Sequence, residues 1–228
     1  MHDKLFVEAG TGVGKSFAYL LPAALFAIKN NTRVVVSTNT INLQDQLIKK
    51  DIPAIRKMIG QELQATILKG RSNYLCPRRF LALRQNGPNT HDEMRVLGKV
   101  LMWVHNGSTG DRNDITLNRP GERDAWSRIN AEDEHCSADT CGGRMGGMCP
   151  FFQAKQASQN AHIIVVNHAL LLADMATSGM VLPAYDHLVV DEGHHLEEAA
   201  TGALSFRLSQ QDLDRLLKEI GDSGTGNL

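Results

Sequence analysis

A glycine-rich segment near the start of the chain has the residue types and spacing of a phosphate-binding loop. Residues 9–16 read AGTGVGKS, with Ala9 where such loops usually carry their first glycine. The glycines let the backbone curl so that its N–H groups face phosphates. Lys15 can then reach the β- and γ-phosphates of ATP, and the Ser16 hydroxyl can bind Mg²⁺. The residues predicted to bind the nucleotide are Gly10, Thr11, Gly12, Gly14, Lys15 and Ser16. The alternative is an ordinary glycine-rich turn between a strand and a helix.

An acidic pair follows an apolar run late in the chain, where residues 188–192 read LVVDE. Asp191 is placed to hold Mg²⁺ through water, and Glu192 to orient and deprotonate the water that attacks ATP. An acidic strand end or a helix cap is the alternative interpretation. Because the glycine-rich loop and the acidic pair occur in one chain in the expected order, together they predict a site that binds and hydrolyses ATP.

Four cysteines form the second group of residues with chemical potential. They are Cys76, Cys136, Cys141 and Cys149, and the last three have the spacing C-x4-C-x7-C. Thiolates at such spacings can converge on one metal centre, because the intervening loops are long enough to fold back. From the residues alone, zinc and an iron–sulfur cluster are equally open, and unliganded thiols are a third alternative.

Basic residues surround the first cysteine, and two aromatic residues, Tyr74 and Phe80, are interleaved with them. Single-stranded nucleic acid is bound by cations along its backbone and by rings on which its bases stack. We therefore predict a single-stranded DNA contact here, although a solvated helix face is the alternative. The basic residues are Lys69, Arg71, Arg78, Arg79 and Arg84.

The elements that must position these groups alternate between strands and helices. Apolar, β-branched runs predict strands, and apolar spacing of three and four predicts helices. The predicted strands are 4–7, 33–37, 65–68, 162–166 and 187–190, and the predicted helices are 15–28, 41–59 and 94–104. Of these strands, 33–37, 162–166 and 187–190 have the pattern of strands buried on both faces. This order indicates an α/β fold with a doubly wound parallel sheet flanked by helices. The stretch 69–156 interrupts the pattern and is predicted to be an insertion between two strands.

The composition agrees with a folded domain and with a local nucleic-acid surface. The chain has 228 residues, 42% of them hydrophobic, with a net charge of -1. Because no global positive field exists, any DNA contact must come from a local basic patch. No apolar run approaches the length of a membrane span, and clustered cysteines beside a nucleotide loop suggest a reducing compartment. We expect a cytoplasmic protein.

Four segments together resemble a known family: EAGTGVGKS, VVVSTNTINLQDQL, VVNHALL and DEGHH. The last is similar to the DEAH-type box of superfamily 2 helicases, with Gly193 in place of alanine. The combination resembles the DinG and XPD group of iron–sulfur DNA helicases. This resemblance implies a RecA-like P-loop NTPase domain with an iron–sulfur insertion. It also implies ATP-driven 5′-to-3′ translocation on single-stranded DNA.

The resemblance also assigns roles to residues. It implies a [4Fe–4S] cluster on Cys76, Cys136, Cys141 and Cys149. The gap between the last two is longer than expected for the family, so His135 is an alternative ligand. His194 would couple the nucleotide site to the rest of the motor. Thr38 and Asn39 resemble the motif that holds a DNA phosphate, although residues 37–40 can equally cap the following helix.

The resemblance predicts the domain organisation. Residues 1–68 and 157–204 would form the first RecA-like motor domain, residues 69–156 the iron–sulfur insertion, and residues 205–228 the start of a further helical insertion. A second lobe that supplies an arginine finger would lie outside this sequence, which leads us to expect an N-terminal portion with poor ATPase activity. Two functions remain open: the ATPase half of a helicase, which Glu192 favours, and a non-hydrolysing ATP- and DNA-binding module or redox sensor.

Overall fold

The computed structural model describes residues 4–10, 12–132, 136, 149–205, 213 and 217, and its centre is a parallel sheet. Within these residues four strands pair in the order β2-β3-β1-β4. All three pairings are parallel, with Val34 opposite both Ile163 and His187. The strands are β1 (Val34–Thr38), β2 (Ala65–Ile67), β3 (Ile163–Asn167) and β4 (His187–Val190). The predicted parallel α/β architecture is confirmed.

Helices cover both faces of this sheet and build the region between β2 and β3. They are α1 (Lys15–Asn30), α2 (Ile41–Gln46), α3 (Ile52–Ile59), α4 (Pro77–Asn86), α5 (His91–His105), α6 (Pro120–Ser127), α7 (Pro150–Gln159), α8 (His168–Ala176) and α9 (Leu196–Leu204). None of the helices in the described part of the chain is long and apolar enough to cross a membrane.

Successive side chains of a strand point to opposite faces of the sheet, so alternate residues of the central strands pack into two separate cores. Val34 and Val36 point to the face covered by α1, where they pack with Leu20, Ala24 and Ala27. On the opposite face, residues of the same strands pack against the region between β2 and β3. That second core contains Val35, Ile164, Val166, Tyr74, Phe151 and three cysteines.

The predicted helix 41–59 is interrupted, because its middle is a π-helical turn at Leu47–Asp51. Pro53 lies in the first turn of α3 and has no N–H to donate to the preceding turn. The N–H of Ile52 bonds instead to the Leu47 carbonyl, five residues back. One helix was predicted here because its apolar spacing continues through the turn.

The predicted strand at residues 4–7 is wrong, since residues 4–10 form no strand. Leu5, Phe6 and Val7 are 87%, 90% and 77% exposed. The prediction that His187–Val190 is buried is also wrong, because β4 is the outermost strand of the described sheet. Leu188 and Val190 are exposed there, with a neighbouring strand on one side.

Helices α4, α5 and α6 share a core of their own. Phe80, Val96, Val100 and Trp126 are buried in it, and the indole of Trp126 donates to the Ser72 carbonyl at 2.8 Å. These helices therefore pack around a small hydrophobic core that is separate from the two cores of the sheet.

Candidate nucleotide-binding site

The glycine-rich loop opens onto the N-terminus of α1. Gly12 and Gly14 have φ of 77° and 85°, a conformation that strains any residue with a Cβ. Gly14 is the residue before the helix, and no side chain caps the free N–H groups that follow it. Because these donors are unpaired and the helix dipole is positive here, the loop can receive an anion such as phosphate. Gly10, Gly12 and Gly14 are exposed, and Thr11 lies outside the described residues.

Lys15 and Glu192 meet although they are 177 positions apart in the chain. The Lys15 ammonium donates to Glu192 Oε1 at 2.7 Å, with about a quarter of each side chain exposed (28% and 25%). This hydrogen bond lowers the pKa of Glu192 and raises the pKa of Lys15. Both groups are therefore charged at neutral pH, and the carboxylate is in the form that a general base needs.

Asp191 is held by three hydrogen bonds. Its carboxylate accepts from the Tyr19 hydroxyl at 3.1 Å and from the Glu192 N–H at 3.1 Å. Its own N–H donates to the Ser37 carbonyl at 2.8 Å. Tyr19 lies one helical turn after Lys15 and Ser16, on the side of α1 that faces the acid pair. Sequence reasoning missed Tyr19, although its distance of four residues from Lys15 was the available signal.

Glu192 itself adopts a left-handed backbone conformation, with φ 55° and ψ 43°. For a residue other than glycine this costs about 1–3 kcal/mol and occurs mostly at functional sites. The turn leads into a 3₁₀ helix, Gly193–His195. There the ring of His194 is 66% exposed, with Nε2 3.6 Å from Glu192 Oε2. The predicted coupling residue thus lies beside the predicted base.

The residues at the end of β1 do not form the exposed surface that we predicted for contact with a DNA phosphate. Thr38 is fully buried, and the Ser37 hydroxyl turns inward to His168. A role of the Thr38 side chain in DNA contact does not fit this arrangement, because its oxygen is out of reach of solvent. Asn39 is partly exposed. Thr40 caps α2 by accepting from the Leu43 N–H at 3.2 Å, so the alternative of a helix cap is correct for Thr40.

The predicted basic surface is divided by the structure. The Lys69 side chain is 1% exposed and its ammonium contacts Asp45 at 3.0 Å and Asp111 at 2.5 Å, so its assignment to DNA is a wrong prediction. Arg79 donates to the carbonyls of Asn130 and Glu132.

The other arginines of this surface lie nearer to solvent. Arg71 and Arg78 are exposed. The guanidinium of Arg71 lies 5.0 Å from the ring centre of Phe151. Tyr74 is buried in the core that contains the cysteines, and Phe80 is buried in the core of α4, α5 and α6. Neither ring can therefore stack on bases here.

Three of the four cysteines are described, and all are buried in the core on one face of the sheet, with no disulfide between any two of them. Burial raises the pKa of the Cys149 thiol, and the nearby Cys136 and Cys76 raise it further. The three cysteines share one core. Cys141 and the alternative ligand His135 lie outside the described residues. Among the residues that are described, no group of three or more His, Cys, Asp or Glu side chains is arranged to hold a metal ion.

Comparison with known proteins supports the predicted resemblance. The family model described as DEAD_2 matches residues 130–213. The chain is 35% identical over 223 residues to the ATP-dependent DNA helicase DinG of Salmonella typhimurium, covering 89% of this chain and 30% of the relative. It is 34% identical over 239 residues to the protein of the same name from Photobacterium profundum, with coverage of 96% and 34%.

A further relative carries a different activity in its name. It is the 3′-5′ exonuclease DinG of Bacillus subtilis, 32% identical over 220 residues, with coverage of 96% of this chain and 23% of the relative. The chain therefore spans between about a quarter and a third of the length of these relatives. The similarity to DinG-type proteins that the sequence motifs indicated is confirmed.

Proposed function

We propose that this chain, which is similar to DinG-type helicases over most of its length, is the first motor domain of an ATP-dependent DNA helicase. The observation that carries the proposal is the 2.7 Å contact between Lys15 of the glycine-rich loop and Glu192 of the acidic turn. The motor would comprise residues 1–68 and 157–204. Residues 69–156 would be its insertion, and residues 205–228 the start of a second one.

The ion pair suggests how nucleotide binding prepares hydrolysis. The phosphates of ATP would enter at the uncapped N-terminus of α1, where the loop N–H groups can face them. Lys15 would then exchange Glu192 for the β- and γ-phosphates, which leaves the Glu192 carboxylate free to accept a proton from the attacking water. Ser16 and Asp191 would hold Mg²⁺, which neutralises charge on the phosphate oxygens.

The ATP site can be tested by replacing Lys15 with alanine. We expect the affinity for Mg²⁺–ATP to fall about 10- to 100-fold, because hydrogen bonds to charged groups contribute about 1.5–3 kcal/mol. Isothermal titration calorimetry on the whole chain measures this directly. Lys29→Ala is the matched control, since Lys29 is an exposed lysine in the last turn of the same helix. Equal affinity in Lys15→Ala and the wild type would show that the loop is only structural.

Tyr19 should contribute to the metal dependence of the same site. Its hydroxyl donates to Asp191 Oδ2 at 3.1 Å and fixes the orientation of that carboxylate. We expect Tyr19→Phe to raise the Mg²⁺ concentration needed for half-maximal nucleotide binding about 3- to 10-fold, the effect of losing one hydrogen bond. Tyr185→Phe, which removes a hydroxyl from a tyrosine ahead of β4, is the control. An unchanged Mg²⁺ titration in Tyr19→Phe would contradict the assignment.

We also infer that single-stranded DNA is the nucleic acid bound and that movement along it is 5′-to-3′. The exposure of Arg71 and Arg78 supports a backbone-tracking surface, and Asn39 at the end of β1 supports a phosphate contact. These three residues replace the larger set predicted from the sequence.

We further propose that the insertion carries a [4Fe–4S] cluster. Three cysteines buried in one core support this, and Cys76 and Cys149 each precede the first turn of a ten-residue helix. The positive end of a helix offsets part of the burial that disfavours the thiolate, which is the form that binds iron. Cys141 would complete the ligand set with Cys136, and His135 is the alternative to it. The cluster would cross-link segments that are distant in the sequence.

A further inference from the structure

Three chain segments meet in a buried junction at Ser37. Its carbonyl accepts the Asp191 N–H at 2.8 Å, which ties the end of β1 to the acidic turn. Its hydroxyl shares a 2.7 Å hydrogen bond with His168 Nδ1, which ties the same residue to the start of α8. Ser37 and His168 are both fully buried. Neither residue belongs to the glycine-rich loop or the acid pair.

The His168 ring is hydrogen-bonded at the start of α8 and is linked to the acidic turn through Ser37. His168 is the first residue of α8, whose N-terminus is capped by Asn167 accepting from the Leu170 N–H at 3.0 Å. Burial lowers the pKa of the His168 imidazole, so the ring is neutral at neutral pH. The imidazole contacts the Ser37 hydroxyl, and the Ser37 carbonyl in turn accepts the Asp191 N–H of the acidic turn.

Two polar atoms at this junction lack hydrogen-bond partners within the described residues. They are His168 Nε2 and Thr38 Oγ1, both buried. An unpaired buried polar atom costs about 1–3 kcal/mol, so such atoms persist where another conformation pairs them or where function requires them. Glu192, the residue after Asp191, adds a left-handed backbone to the turn that is bonded to Ser37.

We propose that His168 is a positioning residue that couples the acidic turn of the nucleotide site to the end of β1, where Asn39 emerges. The inference rests on the proposed function, because it links ATP at Glu192 to DNA at Asn39. When ATP draws Lys15 away from Glu192, the turn loses its ion pair and can change conformation. The Asp191 N–H transmits that change to Ser37, whose hydroxyl is held by His168. Movement of Ser37 then displaces Thr38 and Asn39, which follow it in the chain. Coupling of this kind is reciprocal, so DNA would also alter nucleotide affinity.

The test is Ser37→Ala, which removes the hydroxyl that joins β1 to His168 and leaves the backbone bond in place. The affinity for a fluorescent single-stranded oligonucleotide is measured by anisotropy, with and without a non-hydrolysable ATP analogue and Mg²⁺. In the wild type we expect the analogue to change this affinity at least about 5-fold, the lower end of typical allosteric coupling. In Ser37→Ala we expect a ratio near one, with the affinity for the analogue alone within about 2-fold of the wild type.

Ser158→Ala is the matched control, because Ser158 is also a fully buried serine and its hydroxyl donates to the Lys155 carbonyl at 2.6 Å. This variant should keep the wild-type ratio, which separates coupling from a general loss of a buried hydroxyl. Coupling that survives in Ser37→Ala overturns the inference. A wild type that binds both ligands without coupling also overturns it and leaves the proposed function standing. A wild type that binds neither ligand overturns the proposed function as well.

Discussion

Replacing Lys69 with methionine should lower the free energy of unfolding by about 3 kcal/mol, near the lower end of the range for breaking a buried ion pair. Lys69 is fully buried between Asp45 of α2 and Asp111, which belongs to the region between β2 and β3. Methionine fills a similar volume but removes the buried cation from both carboxylates, so the cation that remains beside Asp45 is the exposed Lys49. Each carboxylate is about one-fifth exposed (21% and 19%), so water relieves part of the penalty.

Urea denaturation of Lys69→Met measures this loss, and Lys49→Met is the control. Lys49 also contacts Asp45, at 3.5 Å, but its side chain is 66% exposed, so we expect a loss of at most about 0.5 kcal/mol. Similar values for the two variants would show that the buried ammonium contributes no more than a surface charge.

The same pair makes stability depend on pH. Burial alone would raise the pKa of Asp45, but the hydrogen bond and charge of Lys69 bring it below its usual value. A carboxyl with a lowered pKa in the folded state stabilises the protein above its unfolded pKa, and this contribution disappears as the pH falls through the folded pKa. The difference between the wild type and Lys69→Met should therefore shrink in acid.

The second large effect is expected from Cys136→Ser, which should abolish the proposed cluster. Protein purified without oxygen should be brown and contain about four irons per chain, and the serine variant should be colourless with little iron. Ala161→Ser is a matched control, because Ala161 is buried in the same core and the change adds a hydroxyl without removing a thiol. A colourless wild type that contains one zinc per chain would contradict the cluster.

The elements predicted best from the sequence are the strands that have a neighbouring strand on each side. The β-branched runs of β1 and β3 were placed within one residue of their observed bounds, because strands buried on both faces consist almost entirely of apolar residues. The bounds of β4 were predicted correctly, but its burial was not, because burial depends on which strands lie alongside it. Residues 4–7 have strand-like composition, yet a strand exists only when a partner pairs with it.

The contact between the glycine-rich loop and the acidic pair was predictable, because the chemistry proposed for them requires fixed residue types at fixed spacing. The role of Lys69 was not, because its partner Asp111 is 42 positions away and a lysine near arginines looks like a DNA contact until that partner is known. Tyr19 and His168 were missed for a related reason. Each lies among the apolar residues of a helix, and only the fold shows that Tyr19 contacts Asp191 and that His168 contacts Ser37.

The division of the sheet into two cores has a consequence for protein engineering. Val35, Ile164 and Val166 are covered by Tyr74, Phe151 and the three cysteines, all of which come from residues 69–156. Excision of that segment would therefore expose much of one face of the sheet, where only residues such as Leu170 and Leu171 of α8 would remain, and would promote aggregation. A minimal ATP-binding unit made from this chain would need new polar residues on that face, whereas loops elsewhere could be shortened without such repair.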